Sequence, residues 1–239
     1  MEHLKDLPLK NDSRVLVLGP HPDDFDAIAV SMRLLHKGGA HIAVAVMTSG
    51  ASGVEDCFVP EACDLAKARI REEEQRESVR FFGLPDDRLF FLRLAEGSDG
   101  HMREDEENLN ALRQVVHGNR PDAICMPHGN DTNLDHQRAF RMVEMIAAET
   151  TPPVRLLLNR DPKTVSMRHD LVMPFDERDA VWKAELLRFH KSQHQRNLNM
   201  RGHGFDARIL DFNRRIAAEV GAGAPYAELF ELFHATRHQ

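Results

Sequence analysis

Short apolar runs alternate with longer amphipathic stretches along this chain, and no other feature limits its fold as strongly. Val15-Leu16-Val17-Leu18-Gly19, His41 to Met47, Arg88 to Leu92 and Asp122 to Met126 read as four buried strands. Ala27 to Lys37, Glu61 to Phe82, Glu104 to His117 and His136 to Ala148 carry apolar residues at helical spacing. The first of these helices closes at Gly38-Gly39 and the second at Gly83-Leu84-Pro85. Four βα units in succession predict an α/β fold, a largely parallel sheet with helices on both faces. After Thr151-Pro152-Pro153 the pattern loosens. Val154 to Leu158 and Asp170 to Met173 read as further strands, and Asp176 to Gln195 and Phe205 to Val220 as helices. With no repeat and no low-complexity linker, residues 1–239 are expected to form one domain with a C-terminal elaboration.

Composition narrows the function classes. An apolar share of 42% and a charged share of 29% exclude wholesale disorder. Thirty-one basic against 38 acidic residues leave a net charge of −7, which argues against nucleic acid as the partner. The N-terminus has no apolar signal region, and no apolar run reaches the ~18 residues of a membrane span. Cys57, Cys63 and Cys125 are odd in number and form no CxxC pair, so neither a disulfide framework nor a four-thiolate zinc site is expected. A soluble cytoplasmic protein follows, with association between copies left open. Fourteen histidines against 3 cysteines turn attention to His/carboxylate chemistry.

In open parallel sheets, ligands bind beyond the carboxyl ends of the strands, so loops 19–26, 48–60, 93–103 and 127–136 are the ones to inspect. The first reads Gly19-Pro20-His21-Pro22-Asp23-Asp24. One imidazole and two carboxylates in four residues can supply two zinc ligands and leave one carboxylate free. Equally, Asp24 or Asp26 could simply cap the helix at Ala27. The fourth loop, Pro127 to His136, brings a second imidazole to the same sheet edge. Two histidines and one carboxylate make a three-ligand zinc set that leaves a position open for water. Taken singly, Asp135 could be another cap and His136 a first-turn surface residue.

His21-Pro22-Asp23-Asp24 resembles the HPDD motif of the LmbE-like (PIG-L) family, zinc-dependent deacetylases of N-acetylglucosamine-type substrates. Met47-Thr48-Ser49-Gly50 resembles the family's T-x-G element, Arg71 to Glu74 its R-x-x-E helix, and Asp131 to His136 its D-x-H-x-D-H element. Lys183 to Gln193 and Tyr226 to Phe230 resemble its C-terminal K…H-x-S-Q and Y-A-E-x-F elements. Six elements in the right order make a strong signal. The resemblance implies a Rossmann-like LmbE fold and zinc ligands His21, Asp24 and His136, although such a set also tolerates other divalent metals. It implies Asp23 as the general base that collects a proton from activated water and passes it to the leaving amine. It also implies that Arg71 contacts substrate hydroxyls, and it leaves Glu74 a structural role. The implied partner is a small N-acetyl sugar or glycoconjugate, releasing acetate and a free amine.

Two departures stand out. Asn133 replaces the first histidine of H-x-D-H, whose implied role is oxyanion stabilisation or acid assistance. Asparagine can donate a hydrogen bond to an oxyanion but cannot shuttle a proton. His128, in the same loop, is the candidate to stand in beside the substrate. Phe25 replaces a glutamate common after HPDD, with Asp26 as a compensating carboxylate or a cap. The Ser49-Gly53 loop lacks GxGxxG and Walker patterns and misses GxSxG by one residue. The expectation is thus a metal-dependent N-deacetylase. The rivals are a metal-dependent hydrolase of another amide or ester, and a metal- or sugar-binding module whose turnover suffers from Asn133.

Overall fold

The apolar runs line up as the middle of one sheet in a computed structural model that describes residues 1–7, 9 and 11–235. Its strands in chain order are β1 (Glu2–His3), β2 (Arg14–Gly19), β3 (His41–Val46), β4 (Leu89–Phe91), β5 (Ala123–Pro127), β6 (Arg155–Asn159), β7 (Leu171–Phe175) and β8 (Tyr226–Phe233). In space they run β1-β7-β8-β6-β5-β2-β3-β4. Strand β8 is antiparallel to β6 and β7. The other pairings are parallel. The helices are α1 (Asp24–Ala27), α2 (Ala29–Lys37), α3 (Asp64–Phe82), α4 (Glu106–Asn119), α5 (Leu134–Glu149), α6 (Glu177–Leu187), α7 (Lys191–Arg201) and α8 (Phe205–Val220).

Strands β2 and β3 are buried along nearly their whole length because helices cover both faces. Their side chains alternate between two apolar layers, as the period of two requires. Val15, Val17, Val44 and Val46 pack with Ala29, Met32 and Leu35 of α2. Leu16, Leu18, Ala43 and Ala45 pack with Leu109, Leu112 and Val116 of α4 and Met142, Val143 and Ile146 of α5. The chain moves from β2 outward to β3 and β4, then crosses back to β5 on the other side of β2. A crevice opens at such a reversal beyond the carboxyl ends of the strands. The loops after β2 and β5 both empty into it.

The expected helix over Ala27 to Lys37 is two pieces, broken at Ile28 (φ −117°, ψ 20°). The expected helix over Asp176 to Gln195 is also split, with α6 ending at Leu187 and α7 starting at Lys191. In both places buried polar contacts described below turn the backbone, and helical periodicity does not register them. Strand β8 was legible only as a family element, because six consecutive buried residues give it no alternation. All three cysteines are free. Among the described residues, no helix is long and apolar enough to cross a membrane.

Candidate active site

The loop after β2 is built to hold an unfavourable backbone. Asp23 lies at φ 109°, in the left-handed region, which costs a non-glycine residue on the order of 1–3 kcal/mol unless its surroundings enforce it. Here α3 enforces it. The Asp23 N–H donates to Gln75 Oε1 at 2.8 Å. Arg71 Nη2 donates to Asp23 Oδ2 at 3.0 Å and also to the Pro22 carbonyl. From the loop after β3, Thr48 Oγ1 donates to the Pro20 carbonyl at 2.8 Å. Gly50, at φ 62°, leaves room for the loop, since a Cβ there would lie 2.9 Å from Pro22 Cδ and 3.2 Å from Arg71 Nε. The T-x-G and R-x-x-E elements therefore brace the HPDD turn from two sides.

Capping is not what the acidic residues of this turn do. No side chain caps α1. Asp24 Oδ2 instead accepts from the His21 N–H at 2.7 Å. Asp26 is fully buried. It accepts from Gln75 Nε2 at 2.9 Å and meets His190 Nε2 at 2.8 Å. Burial opposes a charge on His190, but the Asp26 carboxylate outweighs it and raises the imidazole above its ordinary pKa.

Donor atoms of His21, Asp24 and His136 lie within 4.8 Å of one another. His21 Nδ1 stands 3.6 Å from Asp24 Oδ2, and His136 Nε2 stands 3.6 Å from Asp24 Oδ1. A tetrahedral ion with bonds of about 2.0–2.2 Å sets its ligand atoms about 3.3–3.6 Å apart. Each histidine stands at about that separation from Asp24, but from a different oxygen of its carboxylate. The outer nitrogens face carboxylates: His21 Nε2 is 3.0 Å from Asp135 Oδ2, and His136 Nδ1 is 3.4 Å from Asp131 Oδ2. Such carboxylates orient ligand imidazoles and raise their basicity. A second grouping, Asp131, His136 and Asp161, shares His136.

Burial opposes charge on His21, yet hydrogen bonds and attraction from Asp135 and Asp24 push its pKa up to about 10. Burial likewise opposes the Asp24 charge, and His136 and His21 hold its carboxyl down to about 2. Asp161 goes the other way, raised by burial near Asp24 and Asp131. This is a dense set of acids and imidazoles whose mutual charges a cation would replace.

His21, Asp24, His136 and Asp161 line a cavity of about 470 Å³ that also takes in Asp23, Arg71, His101, Asn133 and Asp135. Arg71 is 2% exposed. Besides its bonds to the HPDD turn, its Nη1 lies 3.7 Å from Glu74 Oε2, and its Nε and Nη1 are buried without a hydrogen bond. Asn133 is the cap of α5, its Oδ1 accepting from the Asp135 N–H at 2.9 Å. That commits the carbonyl end of the amide. His128 does not line this cavity; its Nε2 lies 3.3 Å from Glu231 Oε2 and its ring stacks on Phe140.

Sequence reasoning missed His101 and undervalued Asp135. Asp135 takes no cap; it meets His21 and His101 Nδ1, each at 3.0 Å, and the Met102 N–H at 2.8 Å. His101 comes from one of the flagged loops, but nothing in its local pattern singles it out. The C-terminal elements proved to be braces. Lys183, fully buried, donates to Glu228 Oε1 and the Ala27 carbonyl at 2.6 Å each and to Asn213 Oδ1 at 2.8 Å. Glu228 in turn accepts from the Val30 and Ser31 N–H groups. Ser192 donates its N–H and Oγ–H to Glu74, and Gln193 Nε2 reaches the Gly53 carbonyl at 3.0 Å.

Comparison with known proteins bears on the family and the fold. Residues 16–147, more than half of the chain, match the PIG-L family model, described as GlcNAc-PI de-N-acetylase. A curated relative, the uncharacterized deacetylase YaiS of Escherichia coli (strain K12), is 25% identical over 146 residues, 59% of this chain and 70% of its own. Among solved structures, N,N'-diacetylchitobiose deacetylase from Pyrococcus horikoshii matches with a TM-score of 0.75 at 18% identity, covering 96% of this chain and 88% of that one. GalB, the 4-carboxy-2-hydroxymuconate hydratase of Pseudomonas putida KT2440, matches at 0.70 and 17% identity over 95% and 98% of the two chains. Likeness at that identity shows a shared fold, and this fold carries more than one chemistry. On this match over residues 16–147, the chain belongs to the PIG-L family of deacetylases.

Proposed function

We propose that this protein is a zinc-dependent hydrolase that removes the acetyl group from an N-acetylated amino sugar of the N-acetylglucosamine type. The observation that supports it most is the convergence of His21, Asp24 and His136 in a cavity that Asp23, a carboxylate outside the ligand set, also lines. Zinc, or another divalent ion, held by those three residues would acidify water and polarise the amide carbonyl. Asp23 takes the proton from the attacking water and returns it to the departing amine nitrogen. Its strained backbone and the Arg71 contact fix the carboxylate for that task. Asn133 offers its amide N–H to the oxyanion, the end of the side chain that the cap leaves unspent. Arg71, with two buried donor atoms lacking acceptors, serves the substrate hydroxyls. Since Asn133 cannot carry a proton, His101 is the imidazole at the cavity that can.

The family name and the chitobiose deacetylase neighbour both favour an acetylated sugar as substrate. The GalB likeness supports a second reading, in which the same centre works on a different small molecule. Acetate release from a panel of N-acetyl sugars, with metal content measured on the same samples, separates the readings. The expected result is release from at least one amino sugar by the metal-loaded protein. Metal and sugar binding without acetate release from any of them would sink the hydrolase reading.

A further inference from the structure

Two residues of α3 hold Asp23, and they differ in where they stand. Arg71 lines the cavity beside it, whereas Gln75, about one turn further along the helix, does not. Gln75 is fully buried, as are Ser78, Asp26 and His190 around it, and none of the four lines the cavity. The Gln75 amide has one orientation open to it. Its Nε2 donates to Asp26 Oδ2 and to Ser78 Oγ, each at 2.9 Å. A carboxylate only accepts, so the NH₂ end faces Asp26 and the carbonyl end is left for the Asp23 N–H, which it meets at 2.8 Å. Asp26 is fixed in turn, since its Oδ2 also meets His190 Nε2 at 2.8 Å. Groups from α1, from α3 and from the residue before α7 thus converge on one backbone N–H. That N–H belongs to a residue at φ 109°, a conformation that persists only where the surroundings enforce it. Without Gln75 the N–H loses its acceptor, and the turn can relax toward ordinary backbone angles.

We infer that Gln75 is a positioning residue for turnover: through the Asp23 backbone it aims the base carboxylate into the cavity, and Asp26 orients Gln75 for that task. This rests on the deacetylase reading for what Asp23 does; the hold on its backbone does not depend on that reading. Asp24 has a separate anchor, its Oδ2 accepting from the His21 N–H at 2.7 Å. Gln75 therefore matters to the base and not to the metal.

Gln75→Met keeps the side chain's length and its helix preference while removing both ends of the amide. It is expected to lower kcat for acetate release by about 10- to 100-fold, the scale of a lost buried hydrogen bond and of a base displaced by about 1 Å. KM and metal content are expected to stay at the wild-type level. In an Asp23→Asn background the same substitution is expected to change kcat by less than about twofold, because its effect passes through a carboxylate already removed. A merely structural loss would lower kcat equally in both backgrounds. A second readout needs no turnover. By NMR, the Asp23 amide is expected to exchange with solvent about tenfold faster or more in Gln75→Met, while the amides of β2 keep their wild-type rates. If wild type releases no acetate from any N-acetyl sugar, the deacetylase reading fails and this exchange decides whether Gln75 holds the turn. Should Gln75→Met not fold, Ser78→Ala takes its place, removing one acceptor of the amide. A drop in kcat of about 2- to 10-fold and faster Asp23 exchange are then expected. Wild-type kcat in an active protein, wild-type exchange at Asp23, equal losses in the two backgrounds, or loss of the metal along with activity would each overturn the inference.

Discussion

Replacing Asp23 by Asn is expected to lower kcat for acetate release by about 10²- to 10⁴-fold, the usual contribution of a positioned general base, while metal content stays at the wild-type level. The substitution keeps side-chain shape and the φ 109° backbone that asparagine tolerates well. Asp23 is outside the grouped donor set of His21, Asp24 and His136. What is lost is the carboxylate that accepts the proton and the charge paired with Arg71 at 3.0 Å. Steady-state kinetics and metal analysis on one preparation check it. A variant with wild-type kcat would remove Asp23 from the chemistry, and one that loses the metal would instead make it a ligand.

The second large effect is on stability. Lys183→Met is expected to destabilise the protein by about 3–5 kcal/mol, the cost of breaking a buried ion pair from one side. Lys183 and Glu228 are 0% and 2% exposed and meet at 2.6 Å. Burial pulls the Lys183 ammonium below its ordinary pKa, so the surviving ion depends on its three acceptors. Removing the ammonium leaves the Glu228 carboxylate buried with only the Val30 and Ser31 N–H groups. It also frees the Ala27 carbonyl at the break between α1 and α2, directly behind the HPDD turn. Adding Glu228→Gln should recover a large part of the loss, because the uncompensated charge then disappears. Urea unfolding of the single and double variants checks this. A single variant within about 1 kcal/mol of wild type would show that the pair is not a brace.

The sheet and the site differ in how much of each the residues disclose. The inner strands were legible because burial on both faces makes them continuous apolar runs, and the parallel order followed from the helices between them. Strand β8 was not, since its glutamates interrupt the run without alternating. Only the structure shows Glu228 meeting Lys183 from a different element. The two helix breaks escaped for the same reason: His190 turns toward Asp26, which stands 164 positions away in the chain. At the site, the HPDD turn and the fourth loop could be paired because both leave the sheet at one edge. Asp135 looked like a cap until Asn133 was seen to take that role, which frees Asp135 for His21 and His101. His101 and Asp135 stand on separate segments, 34 positions apart in the chain. Their convergence is a property of tertiary structure that no local spacing encodes.

The most direct test of the account is chelation followed by readdition of zinc, with acetate release from an N-acetyl amino sugar as the signal. The centre formed by His21, Asp24 and His136 predicts that chelation abolishes release and that zinc restores it to wild-type protein but not to Asp24→Ala. Undiminished release from protein shown to be free of metal would contradict it.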